Sequence, residues 1–143
     1  MNKGNNLQMI QWDATLELGV EALDKQHKGM VEIANRLFDA HRSGRRDEIL
    51  LRIRDLLNAA TEHFLFEEQM MAEAGYERAE VHGNHHAEVL AQFDRFLGQL
   101  LDGRYAGENE KALAFLATWI KSHITEFDRH FADYLARTEP TGV

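Results

Sequence analysis

Cysteine is absent from the 143-residue chain, and proline occurs only once, at Pro140. The absence of cysteine excludes disulfide bonds, thiolate zinc sites, iron–sulfur clusters and haem attached through CxxCH. The scarcity of proline favours helices, because a proline inside a helix costs about 3 kcal/mol. Long apolar runs are also lacking: the longest, ALAFLA at residues 112–117, is far too short to span a bilayer.

Basic residues are in the minority, 16 against 24 acidic ones, which leaves a formal net charge of −8. A surface of this sign repels nucleic-acid phosphates and anionic membrane faces, so we expect neither as a partner. The first residues, MNKGNN, lack the apolar segment of a signal peptide. We therefore expect a single domain, residues 1–143, in a cytoplasmic protein that acts as a monomer.

Apolar residues recur with the 3.6-residue period of a helix in four segments, and no segment alternates like a strand. The segments are separated by SGRR, by Gly75 and by LDGRYAGENE, and Asp47 is placed to cap the second helix. The pattern predicts an all-α fold: an up-down-up-down four-helix bundle over about residues 19–137, preceded by an arm over about residues 1–18.

Polar residues interrupt the apolar stripes of all four predicted helices. One buried histidine is usually a hydrogen-bonded core residue. Several buried polar residues spread over four helices would each need a separate partner, whereas one metal centre would satisfy them together. The residues concerned are His27, His63, Glu67, His82, His86, His123 and Asp128.

Spacing supports a shared site on the second and third helices. His63 and Glu67 in HFLFE are four residues apart, as are His82 and His86 in HGNHH. A separation of four places two side chains about 40° apart on one helix face. His85 lies on the shoulder of the apolar stripe, so we expect His86 to face the site and His85 to face partly into solvent.

The fourth helix differs, because His123 and Asp128 in HITEFD are five residues apart. An ideal helix separates such residues by about 140°. They must therefore reach the site from different sides, or the helix must widen locally into a π-turn. Counted from one end of an up-down bundle, the polar residues of all four helices fall at a common level.

The donor set indicates the kind of metal. Five imidazoles and two carboxylates exceed the ligands of one zinc ion, and calcium and magnesium prefer oxygen. A mixed set indicates iron or manganese, and its size requires two ions. Two octahedral ions offer about twelve positions, of which five imidazoles, two bridging carboxylates and one bridging oxo or hydroxo group fill about eleven. The remaining position suits a small diatomic ligand.

Over residues 12–135 the sequence resembles the hemerythrin family, specifically its single-domain bacterial members. The motifs LDKQH, HFLFE, HGNHH and HITEFD carry the resemblance. It implies reversible dioxygen binding by two irons (Fe²⁺/Fe³⁺) with an oxo or hydroxo bridge, in an oxygen carrier, storage or delivery protein and not an enzyme. It also implies that one iron is held by His82, His86 and His123, the other by His27 and His63, and that Glu67 and Asp128 bridge both.

Other functions remain open at this point. A di-iron enzyme could reduce dioxygen, peroxide or nitric oxide at such a centre, although the ExxH pairs of ferritin-like enzymes are absent. An oxygen-sensing module would act through a separate partner, since we expect no output domain in this chain. A metal-free interaction bundle would leave the buried polar groups unexplained. Gln26, Glu68 and Glu126 could contact the outer nitrogens of ligand histidines, but we expect them on solvated helix faces.

Overall fold

The computed structural model describes residues 9–101 and 109–138 and contains no strand within those ranges. A short 3-10 turn, Ala14–Leu16, precedes helices α1 (Glu21–Arg42), α2 (Arg46–Ala74) and α3 (Ala79–Leu101). The last helical stretch comprises α4 (Asn109–Ser122), a π-helical segment (His123–Asp128) and α5 (Arg129–Thr138). These elements confirm the predicted all-helical four-helix bundle. Most of the expected loop at 101–110, the first eight residues and the last five lie outside the described residues.

The π-helical segment joins α4 and α5 into one continuous helix, because Ser122 and Arg129 on its two sides have ordinary α-helical backbone angles. Its widened turn accommodates the five-residue spacing of His123 and Asp128, so both can face the bundle interior from a single helix. Of the two arrangements that the sequence allowed, the structure shows the π-turn.

The two connections that the structure describes, from α1 to α2 and from α2 to α3, are tight. Gly44 and Gly75 follow α1 and α2 with φ of 69° and 66°, the left-handed region that glycine adopts without strain. The amide of Tyr76 donates to the carbonyl of Met71 and closes α2 in a Schellman motif. The prediction for Asp47 is wrong: α2 begins one residue earlier, and Asp47 lies in its first turn, where a negative charge favours the helix dipole.

The described part of the N-terminal arm, which begins at residue 9, is held against the bundle by hydrogen bonds with side chains of the helices. Ile10 and the amide of Asn35 exchange two hydrogen bonds of 2.8 and 2.9 Å. The buried carboxylate of Asp24 accepts from the amides of residues 18 and 19. The Arg129 guanidinium donates to the carbonyls of Thr15 and Glu17, and the 3-10 turn contacts the π-helical segment.

Among the described residues, buried apolar side chains form two clusters. The larger cluster includes Phe38, Ile53 and Phe64, and the smaller one consists of Leu23, Met71, Tyr76 and Phe131. Along the helices, the polar residues singled out above lie at the boundary between these clusters. None of the helices within the described ranges is long and apolar enough to cross a membrane.

Candidate metal centre

All seven polar residues predicted from the sequence converge on one layer of the bundle. Each is at most 2% exposed. Each helix of the bundle contributes, since α1, α2, α3 and the π-helical segment carry them in turn. They are His27 from α1, His63 and Glu67 from α2, His82 and His86 from α3, and His123 and Asp128 from the π-helical segment.

The donor atoms fall into two groups, and within each group they all lie within 4.8 Å of one another. One group contains Glu67, His82, His86, His123 and Asp128, and the other contains His27, His63 and Asp128. Three histidines, His82, His86 and His123, therefore lie in one group and two, His27 and His63, lie in the other, which is the division that the family resemblance implied. Asp128 belongs to both groups.

The Asp128 carboxylate lies between the two groups and directs one oxygen to each. Its Oδ2 is 2.7 Å from Nε2 of His27 and 3.3 Å from Nε2 of His63. Its Oδ1 is 2.9 Å from Nε2 of His82 and 3.0 Å from Nε2 of His123. A carboxylate in this position can bridge two cations.

Glu67 is the other carboxylate at the boundary. Its Oε1 lies 3.3 Å from Nε2 of both His82 and His86, and 3.7 Å from Nε2 of His63. Both carboxylate oxygens are buried and have no hydrogen-bond partner among the described residues. Leaving a buried carboxylate unpaired is costly, and a bound cation would satisfy it. The residues therefore fit a metal centre on their own geometry.

Outer hydrogen bonds orient two of the imidazoles. His63 donates from Nδ1 to Oε1 of Gln26 at 2.7 Å, and His86 donates from Nδ1 to Oε2 of Glu68 at 2.8 Å. With the proton on Nδ1, the lone pair of Nε2 points into the layer, as a metal ligand requires. Gln26 and Glu68 thus make the contacts that the sequence only allowed, from partly exposed positions and not from fully solvated helix faces, whereas Glu126 is exposed as expected.

The electrostatics of the layer favour charged carboxylates. Burial raises the pKa of Asp128, but the electrostatic effect of His123 and hydrogen bonds with three histidines outweigh it and hold the pKa well below its usual value. Burial and the nearby charge of Asp128 likewise oppose ionisation of Glu67, yet the close imidazoles of His82 and His86 lower its pKa. Metals bind such deprotonated oxygens.

Two histidines of the layer differ in protonation. Burial lowers the pKa of His123 and favours the neutral, metal-binding form. For His82, burial acts in the same direction, but its hydrogen bond with Asp128 and the nearby carboxylate of Glu67 raise the pKa to about 9. Metal binding at neutral pH must therefore displace a proton from His82.

Aromatic side chains cover the layer. Phe64 stacks on His86 with ring centroids 3.9 Å apart and also contacts the rings of His63 and His123. His85 is partly buried, as predicted, and its ring lies against Phe127. His130 lies outside the layer: it is exposed and pairs with the hydroxyl of Tyr76.

Comparisons with known proteins agree with this site. Residues 18–135 match the family model described as the hemerythrin HHE cation binding domain. Bacteriohemerythrin of Pseudomonas aeruginosa (strain LESB58) is 30% identical over 124 residues, which cover 87% of this chain and 80% of that protein. Bacteriohemerythrin of Clostridium acetobutylicum is 30% identical over 129 residues, 87% of this chain and 100% of that protein. A crystal structure of wild-type hemerythrin, 25% identical, superposes with a TM-score of 0.82 over 90% of this chain and 99% of that one.

The fold and the buried cluster of imidazole and carboxylate donors together define a metal-binding four-helix bundle. The extent of the family match and the identity with the bacterial relatives are more specific, and they show that the chain belongs to the hemerythrin family. The resemblance inferred from the motifs is confirmed. Family membership supports di-iron oxygen binding as the function and does not favour the enzymatic or sensing alternatives.

Proposed function

We propose that this protein binds dioxygen reversibly at a non-haem di-iron centre and serves as an oxygen carrier, store or delivery protein. The observation that carries the proposal is the position of Asp128, whose two oxygens face two separate groups of imidazoles. A carboxylate placed between two groups of nitrogen donors is suited to contact two ions at once. The proposal includes a monomer in the cytoplasm with dioxygen as the ligand.

In this proposal the five imidazoles and two carboxylates are the metal ligands. His82, His86 and His123 hold one iron, and His27 and His63 hold the other. Glu67 and Asp128 bridge the pair together with an oxo or hydroxo group. Such a mixed nitrogen and oxygen set suits iron in both its Fe²⁺ and Fe³⁺ states. When bound, the pair supplies two electrons and one open coordination position for dioxygen.

The surrounding residues support this function in two ways. Gln26 and Glu68 hold the proton of His63 and His86 on Nδ1, so that each Nε2 remains available as a ligand. Phe64, only 1% exposed, covers the rings of His63 and His86 and excludes water from that side. Exclusion of water from a redox centre limits side reactions and controls its potential.

The test begins with the metal-free protein, loaded with Fe²⁺ under anaerobic conditions. We expect two irons per chain and an almost colourless sample. Exposure to air should produce a visible absorption band, and removal of the oxygen should abolish it. One metal ion per chain, or a single stoichiometric zinc, would overturn the proposal. Continued oxygen consumption in the presence of a reductant would instead favour a di-iron enzyme.

A further inference from the structure

The outer nitrogen of His123 differs from those of His63 and His86. A metal-binding histidine almost always donates its other N–H to a carboxylate, carbonyl or water, which fixes the orientation of its ring. Gln26 and Glu68 provide that contact for His63 and His86. Nδ1 of His123 is buried and has no hydrogen-bond partner within the described residues. Another interaction must therefore orient this ring.

The ring of His123 lies in a stack of nearly parallel rings. Trp119 is 4.9 Å away, centroid to centroid, with 19° between the planes. His85 is 5.2 Å away at 12°, and Phe127 is 5.6 Å away at 19°. Trp119 and Phe127 belong to the same continuous helix as His123, whereas His85 belongs to α3. Parallel neighbours of this kind hinder rotation of the imidazole about its bond to Cβ.

A hydrogen bond locks the stack across the two helices. The indole Nε1 of Trp119 donates to Nε2 of His85 at 3.2 Å. Because that nitrogen accepts, the neutral His85 carries its proton on Nδ1. The ring of His85 is fixed in turn against Phe127, with centroids 4.1 Å apart and planes 9° apart.

We propose that His85 and Trp119 are positioning residues for the metal centre. They form a hydrogen-bonded clasp that holds the His123 imidazole in its ligand orientation, in place of the outer hydrogen bond that His63 and His86 have. His85 does not bind metal in this arrangement. The inference rests on the proposed function, because it takes His123 to be a ligand.

The test uses the full-length metal-free protein and Co²⁺, whose visible spectrum reports coordination geometry. His85→Leu removes both the acceptor and the ring, and we expect cobalt affinity to fall by about tenfold, the low end of effects seen for outer partners of ligands. Its spectrum should also change. Trp119→Phe keeps a stacked ring but loses the donor and should shift the spectrum in the same direction by less. His85→Gln restores an acceptor and should recover part of the affinity.

The matched control is His41→Leu, the same change near the end of α1, about 21 Å along the helix from His27. It should bind cobalt like the unsubstituted protein. Parent-like affinity and spectrum for both His85→Leu and Trp119→Phe would overturn the clasp. If His85→Leu does not fold, by circular dichroism of the metal-free form, the comparison of Trp119→Phe with the parent decides. Failure of the parent itself to bind two metal ions would overturn the proposed function instead.

Discussion

Glu68 and Glu126 allow a matched test of how the layer is organised. Both lie within two residues of a carboxylate of the layer, Glu67 or Asp128, and both carry one negative charge. Of the two, only Glu68 contacts an imidazole of the layer, with Oε2 at 2.8 Å from Nδ1 of His86. Removing an outer partner of a metal ligand costs 10–100-fold in metal affinity, or about 1.4–2.7 kcal/mol. Because the Glu68 side chain is 39% exposed, solvent screens the interaction, and we expect about tenfold for Glu68→Ala.

The assay is competition between the metal-free protein and a chelator for a divalent metal. Glu126→Ala removes the same charge from an exposed position and should change the affinity by less than about threefold. Glu68→Gln keeps a neutral acceptor and should fall between Glu68→Ala and the parent. Equal losses for Glu68→Ala and Glu126→Ala would refute the reasoning, because they would show that overall charge and not the hydrogen bond determines the affinity.

Three further predictions concern the bridge, the arm and the effect of pH. Asp128→Ala should lose both metal ions, because its oxygens face both groups, whereas His27→Ala should keep about one ion per chain; equal metal contents would contradict the assignment. Arg129→Gln should lower the free energy of unfolding in urea by about 1 kcal/mol by weakening the contact with Thr15. An unchanged midpoint of urea unfolding would show that Arg129 does not hold the arm against the bundle. In the metal-free protein the raised pKa of His82 stabilises the fold fully below pH 6.5, and this contribution of at most about 3 kcal/mol is lost as the pH rises towards 9. Thermal unfolding should therefore be more sensitive to pH between 6.5 and 9 in the metal-free parent than in His82→Gln, and equal sensitivity would contradict the shift.

The helices and the polar layer were predictable because both depend on local patterns. An imidazole such as His63 stands out on an apolar stripe whatever the neighbouring helix does, and its spacing to Glu67 is decided within one helix. The five-residue separation of His123 and Asp128 by itself indicates an irregularity in the fourth helix. It does not decide between a widened turn and two directions of approach, because that choice depends on packing against the other helices.

The contacts around the layer could not be predicted, because they depend on how neighbouring helices are rotated. Gln26 and Glu68 each lie beside a residue of the layer in sequence, and the sequence alone does not distinguish them from ordinary surface residues. The rotation of α1 against α2 brings Gln26 to His63, and that of α2 against α3 brings Glu68 to His86. At the start of α2 a local signal was present but did not decide the structure: Asp47 has the right side chain for a cap, yet the helix begins at Arg46.

The division of the apolar interior has a consequence for how the bundle unfolds. Leu23, Met71 and Phe131 belong to the smaller cluster, and the layer of buried imidazoles and carboxylates lies between them and the main core. Contacts within such a layer hold two apolar regions together poorly when its charges are not compensated. Cations bound there would join the two regions into one cooperative unit. We therefore expect amide hydrogen exchange in the smaller cluster to become independent of exchange in the larger cluster when the metal is removed. The bundle would then unfold in two steps without metal and in one step with metal bound, so that the centre would also determine how cooperatively the protein unfolds.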